Sequence, residues 1–417
     1  MRVLIFSINY WPETTGIGSL ITSRAESLAR AGHEVEICTG FPYYPEWKIG
    51  AGYEGKLWKN EIRNGVRIKR SYIYVPNPVT SIKRIVHEAS YLITAGIRAL
   101  FSRRPDVILA VSPPLGLAAV AILLGKLWGV PYVFDVQDLQ PDSALEHGML
   151  PPRVAHMLYR LEAAAYRHAR FVTTLTVAMR NQIVAKGFAS EKVRLVELSS
   201  LGSKLQGSAE DASAFRNKYG LHHETLVTYS GNIGIKQRLD VAMEAADLLR
   251  KEENLLFLIV GDGADCARVK KLAADKQLPN VRFLPLLDEE DFRGMLAATD
   301  ACLVTQQKTS NETAFPSKIV SYYASGCPVI ASVSLDGEVA RIVAESNAGI
   351  AVEAEDPERL AEAVRQIGRL RGQATRDKAR AYADRRWSPE QVLKRFEQCL
   401  LEAAGHVQAR EGTAEVG

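Results

Sequence analysis

Two consecutive doubly wound parallel α/β sheets are predicted for this sequence, on three observations. The chain has 417 residues, more than one hydrophobic core holds comfortably and enough for two or three domains. Short apolar β-type runs alternate with segments of helical period, the pattern of βαβ units. The alternation pauses near residue 200 and restarts after residue 225.

In the first half, Val3–Ile8 reads as a strand, Ser19–Ala31 as a helix and Glu34–Thr39 as a second strand. Val107–Val111 leads to a helix over Leu115–Trp128, Tyr132–Asp135 to one over Pro152–Arg167, and Phe171–Thr174 to one over Val177–Lys186. The second half gives strands over Leu226–Ser230, Leu255–Val260, Val281–Leu284, Ala301–Val304 and Pro328–Ser332. Its helices are expected over Leu239–Lys251, Asp265–Lys276, Asp288–Ala298, Lys318–Ala324 and Val339–Ala344. Ser199–Thr225, rich in Ser and Gly with a helical patch near Ala212–Tyr219, is the linker. The boundary near residue 205 separates an N-terminal domain over 1–205 from a C-terminal one over 206–385. Beyond Pro357 the chain turns helical, and Trp387-Ser388-Pro389 opens a last helix.

With 47% apolar, 24% charged and 8% aromatic residues, disordered and fibrous classes are excluded. The net charge of +4 divides into +8 over residues 1–200 and −4 over 201–417. A basic front half suits an anionic membrane, a nucleic acid or a phosphorylated substrate, and charge alone does not choose among them. Five scattered cysteines without a C-x-x-C pair suggest neither a disulfide framework nor a zinc site, so a reducing cytoplasm is the expected compartment. The first apolar run meets Asn9, Pro12 and Glu13 too soon for a signal-peptide core. Pro113–Phe134, interrupted by Lys126, Gly129 and Pro131, reads as helix then strand, not a membrane span. Ser81–Arg104 carries six basic or His residues among apolar ones. It suits a helix lying on an anionic bilayer, or equally an ordinary domain helix with a basic exposed face.

Five loops carry the candidate chemistry. Asn9–Ser19 joins a strand to a helix and holds Gly16 and Gly18, whose exposed amides can approach an anion. The dinucleotide fingerprint is absent, because Ile21 stands at its third glycine. Gly261-Asp262-Gly263 is a near-match that has Cys266 at that place, so a nicotinamide cofactor is not expected. Tyr229–Arg238 contains Gly231, Gly234, Lys236 and Arg238, the parts of a pyrophosphate cradle without Walker A spacing. Thr313–Lys318 precedes a helix, where Pro316 and Ser317 would leave amides for a ligand and Lys318 adds charge. Phe134–Asp142 sets Asp135, Asp138 and Asp142 just past a strand end, without the spacing of a metal site. There is no triad-like histidine and no G-x-S-x-G elbow.

Taken together, Asn9-Tyr10, Pro12-Glu13, Thr15–Gly18, Pro42–Trp47 (P-Y-Y-P-E-W), Gly231–Gly234, Pro316–Lys318 and Ser325–Ile330 resemble the family 4 (group 1) glycosyltransferases. The P-Y-Y-P-E-W stretch resembles the colanic-acid biosynthesis type, assigned to fucosyl transfer in bacterial exopolysaccharide assembly. The resemblance implies a GT-B fold, two Rossmann-like doubly wound parallel-sheet domains facing a cleft. Donor nucleotide sugar would lie on the C-terminal domain and acceptor on the N-terminal one, and a last helix over about 386–405 would return to the first domain. The implied catalytic set is Glu13, Asp138 and Lys236. The implied donor site comprises Gly16, Ile17, Gly18, Gly231, Asn232, Gly234, Lys236, Arg238, Gly261, Pro285, Leu286, Phe315, Pro316, Ser317, Lys318 and Ser321. Tyr10, Tyr43, Tyr44 and Trp47 would meet the acceptor.

Two positions depart from the family pattern. Its Glu pair, eight apart, falls on Thr313 and Ser321 here, with Glu312 one residue off. Its Arg after the phosphate-loop glycine is Asn232, which leaves Arg238 to supply the charge. The resemblance implies a retaining, metal-independent transfer without a cofactor, by same-face attack in which the leaving phosphate assists deprotonation. The implied partners are a nucleotide-sugar donor, a polyprenyl-diphosphate-linked glycan and an anionic membrane face, with no nucleic acid. Two alternatives are a sugar-nucleotide epimerase of the same fold and a non-catalytic nucleotide-binding partner, the latter motivated by the missing Glu pair.

Overall fold

The apolar runs become the strands of two separate sheets in the computed structural model, which describes residues 1–13, 16–142, 152–200, 205–222, 225–308 and 315–406. The first sheet has eight strands: β1 (Arg2–Phe6), β2 (Glu34–Gly40), β3 (Trp58–Arg63), β4 (Val66–Ser71), β5 (Val107–Ser112), β6 (Tyr132–Val136), β7 (Phe171–Thr174) and β8 (Val193–Leu195). Their order is β3-β4-β2-β1-β5-β6-β7-β8, and all pairs are parallel except β3 with β4. Among the described residues, the helices of this unit before the C-terminal one are α1 (Gly16–Arg30), α2 (Ser81–Ala99), α3 (Leu117–Trp128), α4 (Pro152–His168) and α5 (Val177–Ala185). Leu4, Phe6, Ile108 and Ala110 join one core cluster, while Val3, Ile5, Val107 and Leu109 join another. Alternate residues of the same strands therefore bury both faces of the sheet, as a parallel sheet requires.

The second sheet contains β9 (Thr225–Ser230), β10 (Leu255–Val260), β11 (Val281–Leu284), β12 (Ala301–Thr305), β13 (Val329–Val333) and β14 (Gly349–Glu353) in the order β11-β10-β9-β12-β13-β14. Every pair is parallel. Its helices are α6 (Ala209–Lys218), α7 (Leu239–Leu248), α8 (Cys266–Asp275), α9 (Glu289–Ala298), α10 (Lys318–Ala324), α11 (Glu338–Ser346), α12 (Pro357–Arg365) and α13 (Gln373–Trp387). A last helix, α14 (Pro389–Ala403), follows.

The chain divides into one unit of Met1–Glu197 with the C-terminal helix from Leu393, and a second of Leu198–Val392. The division precedes residue 205 because the Ser200 N–H already donates to the Trp387 carbonyl at 2.8 Å, inside the second unit. In the first unit, Arg24 of α1 pairs with Asp135 of β6 at 2.8 Å, each side chain about 1% exposed. The Arg24 guanidinium also lies 4.7 Å from the Phe396 ring centroid, and His33 meets Glu397 at 2.9 Å, which fixes α14. Two expectations shorten: the first strand ends at Phe6 rather than Ile8, and the helix from Leu239 at Leu248 rather than Lys251.

Candidate functional site

Each sheet has one place where the chain leaves a central strand in both directions, between β1 and β5 in the first unit and between β9 and β12 in the second. Open α/β sheets bind ligands beyond the carboxyl ends of such strands. Both places carry residues that the sequence singled out.

At the first, Ile8 and Asn9 beyond β1, Gly16 and Ile17 of α1, Tyr43, Tyr44 and Trp47 of the P-Y-Y-P-E-W loop, and Pro113 and Pro114 beyond β5 line a cavity of about 230 Å³. Arg84, His87 and Glu88 of α2, one helical face at i, i+3 and i+4, complete the wall. The loop is held by Glu13, whose Oε1 accepts from the N–H groups of Tyr43 and Tyr44, both at 2.9 Å. Its Oε2 accepts from Asn9 Nδ2 at 2.9 Å. Burial pushes the Glu13 carboxyl above its ordinary value, against the pull of these donors. The expected catalytic Glu13 is thus a buried clamp with both oxygens occupied. Gly18 sits under the same residue: a Cβ there would lie 2.8 Å from the Glu13 carbonyl oxygen, which only glycine avoids.

Tyr10, expected at the acceptor, is corrected: it is 1% exposed and packs among Ile5, Ile21 and Ile37. The chain past β1 turns Ile8 and Asn9 to the cavity and Tyr10 into the core. Tyr43 stands edge-on to Trp47 at 5.4 Å and to His87 at 4.6 Å, and Tyr44 is 42% exposed. Arg84, His87 and Glu88 were missed by sequence reasoning; the signal was their shared helical face, which only the packing of α2 aims at this cavity.

Past β6 the three carboxylates part ways. Asp135 is consumed by Arg24, by Thr173 Oγ1 at 2.6 Å and by Gln137 Nε2 at 2.5 Å. Asp142 accepts from Lys186 at 2.5 Å and from Tyr159 at 2.9 Å. Asp138 is half-buried at the strand end, in the short segment where Gln140 Oε1 accepts from the Leu115 N–H at 2.5 Å.

At the second place, the loops after β9 and β10 pack backbone to backbone. The Gly231 N–H donates to the Val260 carbonyl at 2.9 Å, and the Ile233 N–H to the Asp262 carbonyl at 2.8 Å. Gly261 has φ +136°, and a Cβ there would sit 2.0 Å from the Gly231 oxygen. The loop is tied to the end of β12 as well, since the Gln307 N–H donates to the Lys236 carbonyl at 2.8 Å and Thr305 Oγ1 to the Gln237 carbonyl at 2.5 Å. Gly234 N–H donates to Gln237 Oε1 at 3.1 Å, and Asn232 is exposed at the loop tip. From α10, Tyr322 pins the end of β9: its hydroxyl accepts from the Ser230 N–H at 3.0 Å and donates to the Ser230 carbonyl at 3.1 Å. Lys318 Nζ then lies 3.5 Å from the Tyr229 ring centroid and 3.5 Å from where a Gly231 Cβ would be. Burial lowers its pKa to about 7, and among the described residues no carboxylate is paired with this amine at the lip of the glycine loop.

Arg238, expected to supply charge, is corrected: it has φ +44° and is paired to Asp240 at 3.0 Å and to Glu355 at 2.6 Å. Phe315 packs partly on the core, while the carbonyls of Pro316 and Ser317 accept the first bonds of α10 at 3.1 Å each. Ser317 is exposed, and the Ser321 carbonyl bonds onward to the Ser325 N–H. Pro285 and Leu286 are exposed just past the edge strand β11. Glu312 and Thr313 lie outside the described residues. Among the described residues, no group of three or more His, Cys, Asp or Glu is placed to hold a metal, and no helix is long and apolar enough to cross a membrane.

Comparison with known proteins agrees with this architecture. The glycosyl transferase 4-like domain matches residues 15–198, and the glycosyl transferases group 1 domain matches residues 211–386. The chain is 34% identical over 406 residues, 95% of this chain and 98% of the relative, to the "Putative colanic acid biosynthesis glycosyl transferase WcaI" of Escherichia coli (strain K12). It is 26% identical, over 72% of this chain and 75% of the relative, to the probable glycosyltransferase WbjE of Pseudomonas aeruginosa. Its fold resembles that of Anabaena HepE, solved in complex with UDP, with a TM-score of 0.72 at 15% identity over 96% of this chain and 100% of that one. The glycosyltransferase WaaG, involved in lipopolysaccharide biosynthesis, gives 0.64 at 19% identity over 94% and 98%. Two parallel-sheet units, two matched domains and a relative aligned nearly end to end place this chain in the group 1, family 4-like glycosyltransferases of GT-B fold.

Proposed function

We propose that the chain transfers a hexose from a nucleoside-diphosphate sugar, GDP-fucose or another, to a lipid-linked or oligosaccharide hydroxyl in bacterial exopolysaccharide assembly of the colanic-acid type. The transfer retains the anomeric configuration and uses no metal or cofactor. The observation that carries this reading is the cradle at the end of β9, where two glycine loops interlock and Lys318 stands beside Gly231. Amides and a cation fixed in advance stabilise charge as it develops on a leaving diphosphate. HepE is solved with UDP and with UDP-glucose, which supports a nucleotide-sugar donor.

In the proposed step the C1–O bond to the diphosphate breaks and the acceptor oxygen bonds C1 from the same face. The acceptor's proton passes to a leaving-phosphate oxygen. Lys318 and Lys236 offset the diphosphate charge, and Asp138 orients the acceptor hydroxyl or the sugar. Arg238, already neutralised, has no part in it.

The acceptor's lipid places the reaction at the inner face of the cytoplasmic membrane in this reading. Support comes from α2, which exposes apolar Val86, Ile93 and Ile97 alongside Arg84 and is followed by exposed Leu100, Phe101, Arg103 and Arg104. The test is incubation with each sugar nucleotide and bacterial membrane lipids, with and without EDTA. Nuclear magnetic resonance then reads the new linkage. Retained configuration at an EDTA-insensitive rate is expected; an inverted linkage or a need for divalent metal would contradict the proposal.

A further inference from the structure

We infer that His87 is the hydroxyl-recognising residue of the cavity in the first unit: its Nε2 accepts a hydrogen bond from a sugar ring seated against Trp47 and Tyr43. The inference rests on the glycosyltransferase reading and adds to it a specificity residue on α2.

The ring's chemistry is set by its surroundings. His87 Nδ1 lies 2.5 Å from the Tyr74 carbonyl oxygen. A carbonyl has no proton to give, so Nδ1 carries the hydrogen and the neutral ring presents Nε2 as a lone-pair acceptor. The residue is 2% exposed, and among the described residues Nε2 has no hydrogen-bond partner. Buried polar atoms are rarely left so, and His87 is among the residues that line the cavity, so a small side-chain adjustment gives Nε2 a partner in what enters. Burial also lowers the pKa of the ring, which keeps the acceptor form at neutral pH.

The rest of the wall suits a carbohydrate. Trp47 and Tyr43 stand 5.2 Å and 4.6 Å from the imidazole, offering apolar faces beside a polar acceptor. Trp47 is held at φ +51°, a conformation that bulky residues seldom adopt and that clusters at functional sites. At about 230 Å³ the cavity is smaller than drug-sized sites of roughly 300–1,000 Å³, so it has room for one sugar ring. Arg84 and Glu88, 3.6 Å apart, flank His87 on the same helix face and offer a donor and an acceptor to further hydroxyls.

The test separates Nδ1 from Nε2. His87→Asn keeps a donor toward Tyr74 and deletes the acceptor, whereas His87→Gln restores an amide oxygen near the Nε2 position. The full chain is titrated with methyl glycosides of glucose, galactose, fucose and N-acetylglucosamine, and the imidazole nitrogen resonances are followed. One glycoside is expected to move the Nε2 resonance, with roughly tenfold weaker binding in His87→Asn, the loss of one hydrogen bond, and partial recovery in His87→Gln. An unmoved Nε2 resonance with all four, or equal binding by His87→Asn, overturns the inference. Melting with GDP and UDP on the same samples tests the glycosyltransferase reading separately, because it reports the second unit's cradle and not His87.

Discussion

Lys318→Met separates what the cradle does for folding from what it does for binding. The ammonium stands over the Tyr229 ring at 3.5 Å, and burial brings its pKa from the ordinary lysine value to about 7. Between pH 7 and the unfolded value the unfolded chain binds the extra proton, so this lysine costs stability, most of all below pH 7. Three and a half decades correspond to at most about 5 kcal/mol, an upper bound because the Tyr229 ring face returns part of it. Lys318→Met should therefore melt higher than the parent at pH 6. Nucleotide binding should move the other way. A group with pKa about 7 is half protonated at pH 7, and a diphosphate beside it draws on the other half, an uptake of about 0.5 proton per nucleotide. Calorimetry of UDP and GDP binding in buffers of different ionisation enthalpy measures that uptake, and the variant corrects for the nucleotide's own titration. Equal uptake and affinity in parent and Lys318→Met would refute the assignment of Lys318 to the phosphate.

Gly261→Ala sets a Cβ 2.0 Å from the Gly231 oxygen at φ +136°, so the two loops must separate; a cost of about 3 kcal/mol lowers Tm by roughly 6–12 °C and weakens nucleotide binding, read by melting with and without ligand. Asp135→Ala strands Arg24, 1% exposed, and should cost about 3–5 kcal/mol, whereas Asp138→Asn should lower the transfer rate with a smaller loss of Tm; equal melting of the two variants would contradict this sorting. Ile93→Glu with Ile97→Glu, on side chains 62% and 47% exposed, should abolish sedimentation with anionic vesicles at unchanged Tm, and undiminished sedimentation would remove α2 from the membrane.

Most of the fold was legible because buried parallel strands are near-continuous apolar runs: β5, β10 and β12 are buried at every position and were read within a residue of their ends. The β3–β4 hairpin escaped notice because β3, Trp58-Lys59-Asn60-Glu61-Ile62-Arg63, is a polar edge strand with no apolar run. Its signal was the turn: Asn64-Gly65, at φ 46° and 83°, is the pair that two-residue hairpins favour. β8 and β14 were missed for a similar reason, being a short edge and a half-buried edge. Of the site, the glycine loops and Lys318 could be read from turn chemistry and helix starts. Which charges were already taken was legible only in part: Asp240 stands two residues from Arg238, but Glu355 and Arg24, which pair with Arg238 and Asp135, lie more than a hundred residues away in sequence. Tyr10 shows the same limit, since a loop motif does not say which of its aromatics faces inward.

Melting with GDP, UDP, GDP-fucose, UDP-glucose and UDP-N-acetylglucosamine tests the central claim most directly, because a ligand bound only by the folded protein raises Tm by mass action. A selective rise with one nucleotide and its sugar, lost in Lys318→Met, is the expected result; GDP selectivity supports fucosyl transfer, and UDP selectivity moves the donor while keeping the reaction. No response to any of the five would contradict a donor cradle at the end of β9 and leave the chain a glycosyltransferase fold without its donor site.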